Sequence, residues 1–443
     1  MLPNRIRSIA LLCVASVLMS ACGNEAPQRV ENSLPTAMAE IPSVRLNYRY
    51  EADVPAPENT ARPAEETNPA VLADFDQNRV GEVLDRTLTS PDKKRVLAIY
   101  HQNGDLGSEF RLDMYTPEGK LVNKVTADLM AVHFPDTIVW SPDSANVAFV
   151  AMIRGAVNEP GDVTAAKPTP DTNSGVDAEA AAITNSNLNT ATNTNTESEP
   201  TESPTPTPEA GPTPAAPTGI LTFRTEQVYL CDADGVNLKP ITQNEGLIYF
   251  YYAWAPDSSA LVALASTARE WQYLQYLADK DGEIFVPVGR PRLVEKTGRE
   301  RRLDDALTAV QPVWSPDSAK VAAAFDTQVR VYDATGNTPT QAAIPLRNNL
   351  LLSAQAFDRT QQQTLNAGDA NANTQSGQPN TSTLPDEKSL VSFNPIVTLS
   401  WPNDQILYFQ TAFVKRMKVE ADSVTSFQRW HRLAFSPQAP RVN

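Results

Sequence analysis

The residues of this 443-residue chain that could do chemistry are few. Two segments, CDADG (231–235) and ADKDGE (278–283), place alternating aspartates before a glycine, as a calcium loop does. Such a loop also needs a third oxygen ligand and a glutamate at its twelfth position, which here is Gln243 or Arg290. We therefore predict that both segments are hairpin turns and that the chain holds no metal and no cofactor.

Histidines and nucleophiles give no catalytic pattern. His101, His133 and His431 are too few and too far apart in sequence to indicate a metal site. No Gly-x-Ser-x-Gly segment is present, which argues against a serine hydrolase of that class. We predict that the protein is not an enzyme and has no catalytic residues.

The first 21 residues have the features of a bacterial export signal. Two arginines precede a short apolar core, which is too short for a membrane-spanning helix. Met19 to Cys22 resemble the lipobox of bacterial lipoproteins, which implies that Cys22 is acylated and becomes the new N-terminus. Gly23 and Asn24 lack the aspartate that the resemblance associates with inner-membrane retention, so outer-membrane attachment is expected.

The net charge of the chain limits the classes of partner that it can bind. The chain has 52 acidic and 37 basic side chains and a net charge of −15, which disfavours binding to nucleic acid. Residues 289–305 (GRPRLVEKTGRERRLDD) are the one local reversal of charge. They predict a solvated loop, or alternatively a docking segment for an acidic partner. Cys231 lies in an apolar run and is predicted to be a buried strand residue.

Polar tracts divide the chain. Residues 22–42, 157–219 and 359–388 contain too few apolar side chains to offset the entropy of ordering, and we predict that they are disordered. The first would be a tether and the other two would interrupt surface loops. Residues 438–443 form a C-terminal tail.

Between these tracts one phrase recurs. TIVWSPDSANVAFV (137–150), YYAWAPDSSALVAL (251–264) and QPVWSPDSAKVAAAF (311–325) share a strand, a turn and a second strand. Residues 86–100 and 397–409 carry looser copies. Proline presets the φ angle of a turn and aspartate accepts a backbone hydrogen bond, so each Ser-Pro-Asp predicts a hairpin.

A second phrase, an apolar strand followed by a glycine turn, adds another hairpin to most units. These turns contain Gly119, Gly235, Gly282 and Gly336. Two hairpins make a four-stranded antiparallel sheet. The units recur about every 50 to 60 residues once the polar tracts are removed, which favours an all-β propeller.

The phrases resemble the TolB-like, WD-related β-propeller repeat of bacterial envelope proteins. The resemblance covers most of residues 82–437 outside the polar tracts. We predict a single propeller domain over residues 43–437, interrupted by the tracts 157–219 and 359–388. Residues 431–437 could pair with 43–52 in a sixth blade, so six blades are predicted, with five as the alternative. One departure from the repeat is that the glycine after the turn aspartate is replaced, by Lys93, Ser144, Ser258 and Ser318.

Repeat position also assigns a role to four tryptophans. The same position in each repeat meets the same environment, so packing between neighbouring blades is predicted. These residues are Trp140, Trp254, Trp314 and Trp401.

We thus expect a lipid-anchored, non-enzymatic propeller in the cell envelope, facing the periplasm or exterior, that acts as a scaffold for an envelope protein partner. The alternative is a propeller that binds or cleaves a glycan or peptide at its central channel, using side chains from several blades.

Overall fold

The computed structural model describes residues 38–58, 67–153, 226–244, 246–336, 340–367 and 383–437. The predicted signal peptide, Cys22, most of the tether, tract 157–219 and the C-terminal tail lie outside these ranges. No helix within them is both long enough and apolar enough to cross a membrane.

The described residues form five antiparallel sheets, numbered here in chain order, and one small hairpin. Strand β1 (Leu46–Glu51) belongs to the last of them. Sheet 1 contains β2 (Glu82–Thr89), β3 (Val96–Gln102), β4 (Arg111–Tyr115) and β5 (Leu121–Lys124). Sheet 2 contains β6 (Met130–His133), β7 (Val139–Trp140), β8 (Asn146–Ile153), β9 (Gln227–Asp232) and β10 (Lys239–Pro240). Sheet 3 contains β11 (Leu247–Trp254), β12 (Ala260–Thr267), β13 (Arg290–Glu295) and β14 (Glu300–Arg302).

The remaining strands follow the same order. Sheet 4 contains β15 (Val313–Trp314), β16 (Lys320–Phe325), β17 (Gln328–Asp333) and β18 (Gln341–Pro345). Sheet 5 contains β19 (Ile396–Asn403), β20 (Ile406–Thr411), β23 (Arg429–Pro437) and β1, while β21 (Val414–Lys415) pairs only with β22 (Val424–Thr425). Helices α1 (Pro69–Asn78), α2 (Ala268–Asp281) and α3 (Arg347–Ala367) lie in the connections. The predicted mostly-β architecture of antiparallel sheets is confirmed, and it is compatible with a propeller-like fold.

The Ser-Pro-Asp turns are built from side-chain hydrogen bonds. In the turn between β15 and β16, the Ser315 hydroxyl accepts from the Lys320 backbone N–H at 2.9 Å and donates to Asp317 at 2.5 Å. The same pair of bonds is made by Ser141 and by Ser90. Short polar side chains that bond their own backbone stabilise a tight turn, which explains why this phrase recurs.

The residue after the turn aspartate lies in the left-handed region. Lys93, Ser144, Ser258 and Ser318 have φ angles of 60° or 61°. Each serine hydroxyl accepts a hydrogen bond from the backbone N–H of the aspartate in the preceding sheet's turn, at 3.0 to 3.1 Å. Glycine would adopt this φ with less strain, but it could not make the bond between sheets. That bond accounts for the serines at this position.

Neighbouring sheets pack face to face through apolar clusters. One cluster joins sheets 1 and 2, a second sheets 2 and 3, a third sheets 3 and 4, and a fourth sheets 4 and 5. The indoles of Trp140, Trp254 and Trp314 each donate to a carbonyl of the preceding sheet, at 3.1, 3.4 and 3.0 Å. Trp401 differs, because its indole donates to the carbonyl of Asp404 within its own turn.

The preferred blade number is wrong. The segments that were expected to form a sixth blade do pair, with Leu46 opposite Pro437 and Glu51 opposite Arg432, but they do so inside sheet 5. The described residues form five such sheets, four of them with four strands and sheet 2 with five, and five is the number predicted as the alternative. The outer face of sheet 1 is covered by α1, whose Val71 and Phe75 are buried against it.

Three further corrections concern the connections. Residues 278–281, predicted as part of a hairpin turn, belong to α2, which starts with a capping box of Thr267 and Glu270 and has Gly282 as its C-cap. Residues 290–302 of the basic segment form the hairpin β13–β14 and not a loop. Residues 359–367, assigned to a disordered tract, continue α3, because Leu350 and Ala354 bury one face of that helix.

Candidate functional site: an apolar groove at the loop end

The five sheets present two different ends. At the turn end lie the short hairpins with the Ser-Pro-Asp and glycine turns. At the loop end lie the longer connections, including α2, α3 and the β21–β22 hairpin. Connections carry binding sites more often than the strands that hold them, so the loop end is where a site is expected.

The hairpin of sheet 5 reaches the helix connection of sheet 3. The backbone N–H of Ile284 donates to the carbonyl of Arg416, and that of Lys418 to the carbonyl of Gly282, both at 2.9 Å. Lys415 also pairs with Glu283 at 2.6 Å. Sheet 4 lies between these sheets in chain order, and its own connection between β16 and β17 is only Asp326 and Thr327. The β21–β22 hairpin therefore joins sheet 5 to the helix connection of sheet 3.

An apolar groove lies beside this hairpin, with a volume of about 670 Å³. Large apolar side chains are exposed around it, with Val391 at 71% and Phe427 at 53%. Exposed apolar patches on soluble proteins frequently mark interaction sites. The groove is lined by Val391, Phe393, Asn394, Phe413, Val424, Thr425, Ser426 and Phe427.

No residue in this lining is charged, in a chain whose composition is 20% charged. The Asn394 amide bonds the carbonyls of Ser392 and Phe427, at 3.1 and 3.4 Å, and its oxygen accepts from the Ser426 hydroxyl at 2.8 Å. These bonds position the groove wall. The lining therefore suits an uncharged, apolar occupant.

A network of aromatic and charged side chains supports the groove from below. Phe427 contacts Phe357 of α3 with 5.8 Å between ring centroids, and the Arg429 guanidinium lies 4.8 Å above the Phe357 ring. Arg429 forms a bidentate pair with Asp53 at 2.7 and 2.8 Å. This pair connects the segment after β1 to β23, so both chain ends of the domain hold the groove in place.

His431 occupies the centre of that network and is fully buried. Its Nδ1 lies 3.0 Å from the Tyr50 hydroxyl, and its Nε2 lies 3.1 Å from the Thr411 hydroxyl. Burial lowers the pKa of His431 to about 4, with the Arg429 charge adding to the effect. Burial likewise raises the pKa of Tyr50 to about 12. Both side chains are therefore neutral at pH 7.

The structure keeps the other predicted residues apart. His101 and His133 lie on β3 and β6, where their Nδ1 atoms contact the Glu109 carbonyl and the Glu226 carboxylate. Within the described ranges, no three His, Cys, Asp or Glu side chains converge as a metal site would require. Cys231 lies in β9, and burial raises its pKa to about 12, which makes it a poor nucleophile.

Sequence reasoning missed the groove. Its lining comes from two connections that lie outside the repeated phrases. The sequence did contain an indication of the groove. Apolar residues occur in FVK (413–415) and SVTSF (423–427), which belong to neither repeated phrase and so are not explained by the packing of the sheets.

No protein-family model and no curated protein sequence matches the chain. Solved structures that resemble it include an oligogalacturonate lyase in complex with manganese, with 11% identity over 79% of this chain and 65% of that one, at a TM-score of 0.31. Prolyl oligopeptidase B from Galerina marginata has 9% identity over 88% and 45%, at 0.34. Kluyveromyces lactis Hsv2p has 10% identity over 78% and 73%, at 0.28. The matched region covers between half and about two thirds of the length of the oligogalacturonate lyase and of two other neighbours, an initiation factor and a prolyl endopeptidase.

The comparisons with solved structures change two of the predictions made from the sequence. The prediction that the protein is not an enzyme is contradicted and is not retained, since several neighbours are named as enzymes, including a lyase, prolyl oligopeptidases and an isopeptidase. At TM-scores of 0.23 to 0.34 these neighbours assign no reaction to this chain. The resemblance to the TolB-like repeat is supported only as a β-propeller-like fold.

Proposed function

We propose that this chain is a lipid-anchored protein of the bacterial cell envelope whose propeller-like domain binds a partner protein in the groove at the loop end. The observation that carries the proposal is the uncharged groove of about 670 Å³ beside an exposed hairpin. This volume lies within the range of ligand-binding clefts. The anchor and the compartment rest on the leader and on Met19 to Cys22.

The occupant we assign is an apolar segment of a protein that carries an aromatic or branched side chain. Four exposed side chains, Val391, Phe413, Val424 and Phe427, would lose contact with water together. Strand β22 has β21 as its strand neighbour, so its outer edge can pair with an extended peptide. A lipid chain has no backbone groups to make such bonds.

Site-specific photocrosslinking in intact cells tests the proposal. A photoreactive phenylalanine analogue replaces Phe413, which is 44% exposed, and in a matched control it replaces Val236, which is 43% exposed in a turn-end hairpin. We expect one protein adduct from position 413 that is missing from position 236. Cys22→Ser in the same cells is expected to move the chain from the membrane to the soluble fraction.

Binding of the identified partner then provides the decisive measurement. Val424→Asp places a charge in the groove, and we expect it to weaken binding to the purified chain by about tenfold or more. Val236→Asp should leave affinity unchanged. Adducts with lipid alone, or equal binding by both variants at unchanged thermal stability, would refute a protein partner in the groove.

A further inference from the structure

A second cleft lies between sheets 3 and 4 at the turn end, away from the groove. It has a volume of about 320 Å³ and lies between the turns of both sheets. Ser259 comes from the Ala-Pro-Asp turn of sheet 3 and Ser318 from the Ser-Pro-Asp turn of sheet 4, while residues 295–299 and 334–336 come from the glycine turns. Leu293 and Trp314 form its apolar wall.

Three cations and one acid line this cleft, in a chain whose net charge is −15. Lys296 lies 3.8 Å from Asp143 and 5.3 Å from the Trp254 ring centroid, and its side chain is partly exposed. Arg299 lies 3.6 Å from Glu295, the one acid of the lining. These separations are long for charge-assisted hydrogen bonds, so both cations keep capacity for another anion.

Arg301 is the innermost cation. Its Nη2 donates to the backbone carbonyls of Asp333 and Ala334, at 3.0 and 2.9 Å. Burial lowers the pKa of Arg301, and the like charge of Arg299 adds to this. An anion between the two guanidinium groups would relieve their repulsion and replace lost hydration.

We propose that this cleft binds carboxylate side chains of an acidic peptide segment, with Arg299 and Arg301 as the main contacts and Lys296 at the rim. Guanidinium groups bond carboxylates in a planar, bidentate manner. The apolar wall of Leu293 and Trp314 suits the methylene groups between the carboxylates. A long polyanion such as nucleic acid is disfavoured, because the cationic area is small and the rest of the chain is acidic.

The experiment measures the binding of hexaglutamate to the purified mature chain by isothermal titration calorimetry at low salt. Hexaglutamine is the uncharged probe, and inorganic phosphate is the small-anion probe. We expect hexaglutamate alone to bind, with an affinity that falls as salt is raised. Arg299→Gln is expected to weaken it by about tenfold.

Arg302→Gln is the matched control. Arg302 neighbours Arg301 on β14 but projects from the opposite face, pairs with Asp305 at 2.8 Å, and is absent from the lining. Its variant should bind hexaglutamate as the wild type does. Arg301→Gln should weaken binding further, and its unfolding midpoint reports any loss from the two carbonyl bonds.

Three results would overturn the proposal. They are equal loss of binding in the Arg299 and Arg302 variants, no measurable binding of hexaglutamate, and phosphate binding as tight as that of the peptide. Because the cleft and the groove lie at opposite ends of the sheets, none of these three results depends on the groove partner.

Discussion

Acid should destabilise this protein through one buried histidine. His431 is fully buried, and its pKa of about 4 lies below the ordinary value of 6.5. Between these two values the unfolded chain binds a proton that the folded chain excludes. The free energy of unfolding is therefore fully retained above pH 6.5 and falls as the pH is lowered towards 4.

The magnitude follows from the same shift. The unfolded chain binds at most one proton more than the folded chain, so the free energy of unfolding changes by at most about 1.4 kcal/mol per pH unit. Between pH 6.5 and 4 the total loss of stability is about 3 kcal/mol. The charged groups beside the imidazole are Arg429, which lowers its pKa, and Asp53, which raises it. These two electrostatic effects oppose each other, so burial decides that the pKa of His431 is lowered.

Urea unfolding at several pH values between about 7 and 4.5, followed by tryptophan fluorescence, measures this slope. His431→Gln removes the titrating group and should flatten the pH dependence. Thr411→Val keeps the titrating imidazole and removes the hydroxyl that contacts Nε2 and donates to the Arg429 carbonyl, so it should lower stability at every pH and leave the slope unchanged. Parallel curves for the wild type and His431→Gln would refute the assignment of acid sensitivity to this residue.

Two further predictions concern packing and backbone strain. Lys93→Gly should raise the free energy of unfolding by about 1 kcal/mol, because φ is 61° there, whereas Ser258→Gly should give no such gain, since it also removes the hydrogen bond from Asp143. Thermal unfolding of both variants is the check, and an equal gain in both would contradict a role for the serine bond. Phe75→Ala should cost about 3 to 5 kcal/mol, because this ring of α1 is buried against sheet 1, and chemical denaturation showing a loss below about 1 kcal/mol would contradict that packing.

The repeated phrases predicted the sheets well because their information is local. A Ser-Pro-Asp turn is built from bonds within five residues, such as that from Lys320 to Ser315, so it can be read without knowing the fold. Helix α2 was missed because the glycine after its last aspartate was interpreted as a hairpin turn. The same Gly282 with positive φ ends a helix equally well.

The candidate sites could not be predicted in the same way. The groove depends on Val391 lying near Phe413 and Phe427, and that proximity is set by tertiary packing. The basic segment was noticed as a reversal of charge, but its assignment to a loop concealed the alternation along β14. That alternation directs Arg301 to the cleft and Arg302 away from it, and Arg299, just before β14, also lines the cleft.

The end of the series of sheets can be recognised in the residues of the central strands. Strands β3, β12 and β16 carry continuous apolar runs and are buried on both faces. A sheet packs on each side of β12 and β16, whereas β3 lies between sheet 2 and helix α1. Strand β20 alternates instead, with Leu407 and Phe409 buried and Tyr408 half-buried. One face of sheet 5 therefore packs on sheet 4, and the other meets solvent in part. Sheet 1 avoids this exposure because α1 takes the place of a neighbouring sheet. The two ends of the repeat therefore have different surroundings. In the described part of the chain, α1 covers sheet 1, and the alternation in β20 already indicates that one face of sheet 5 is left partly open.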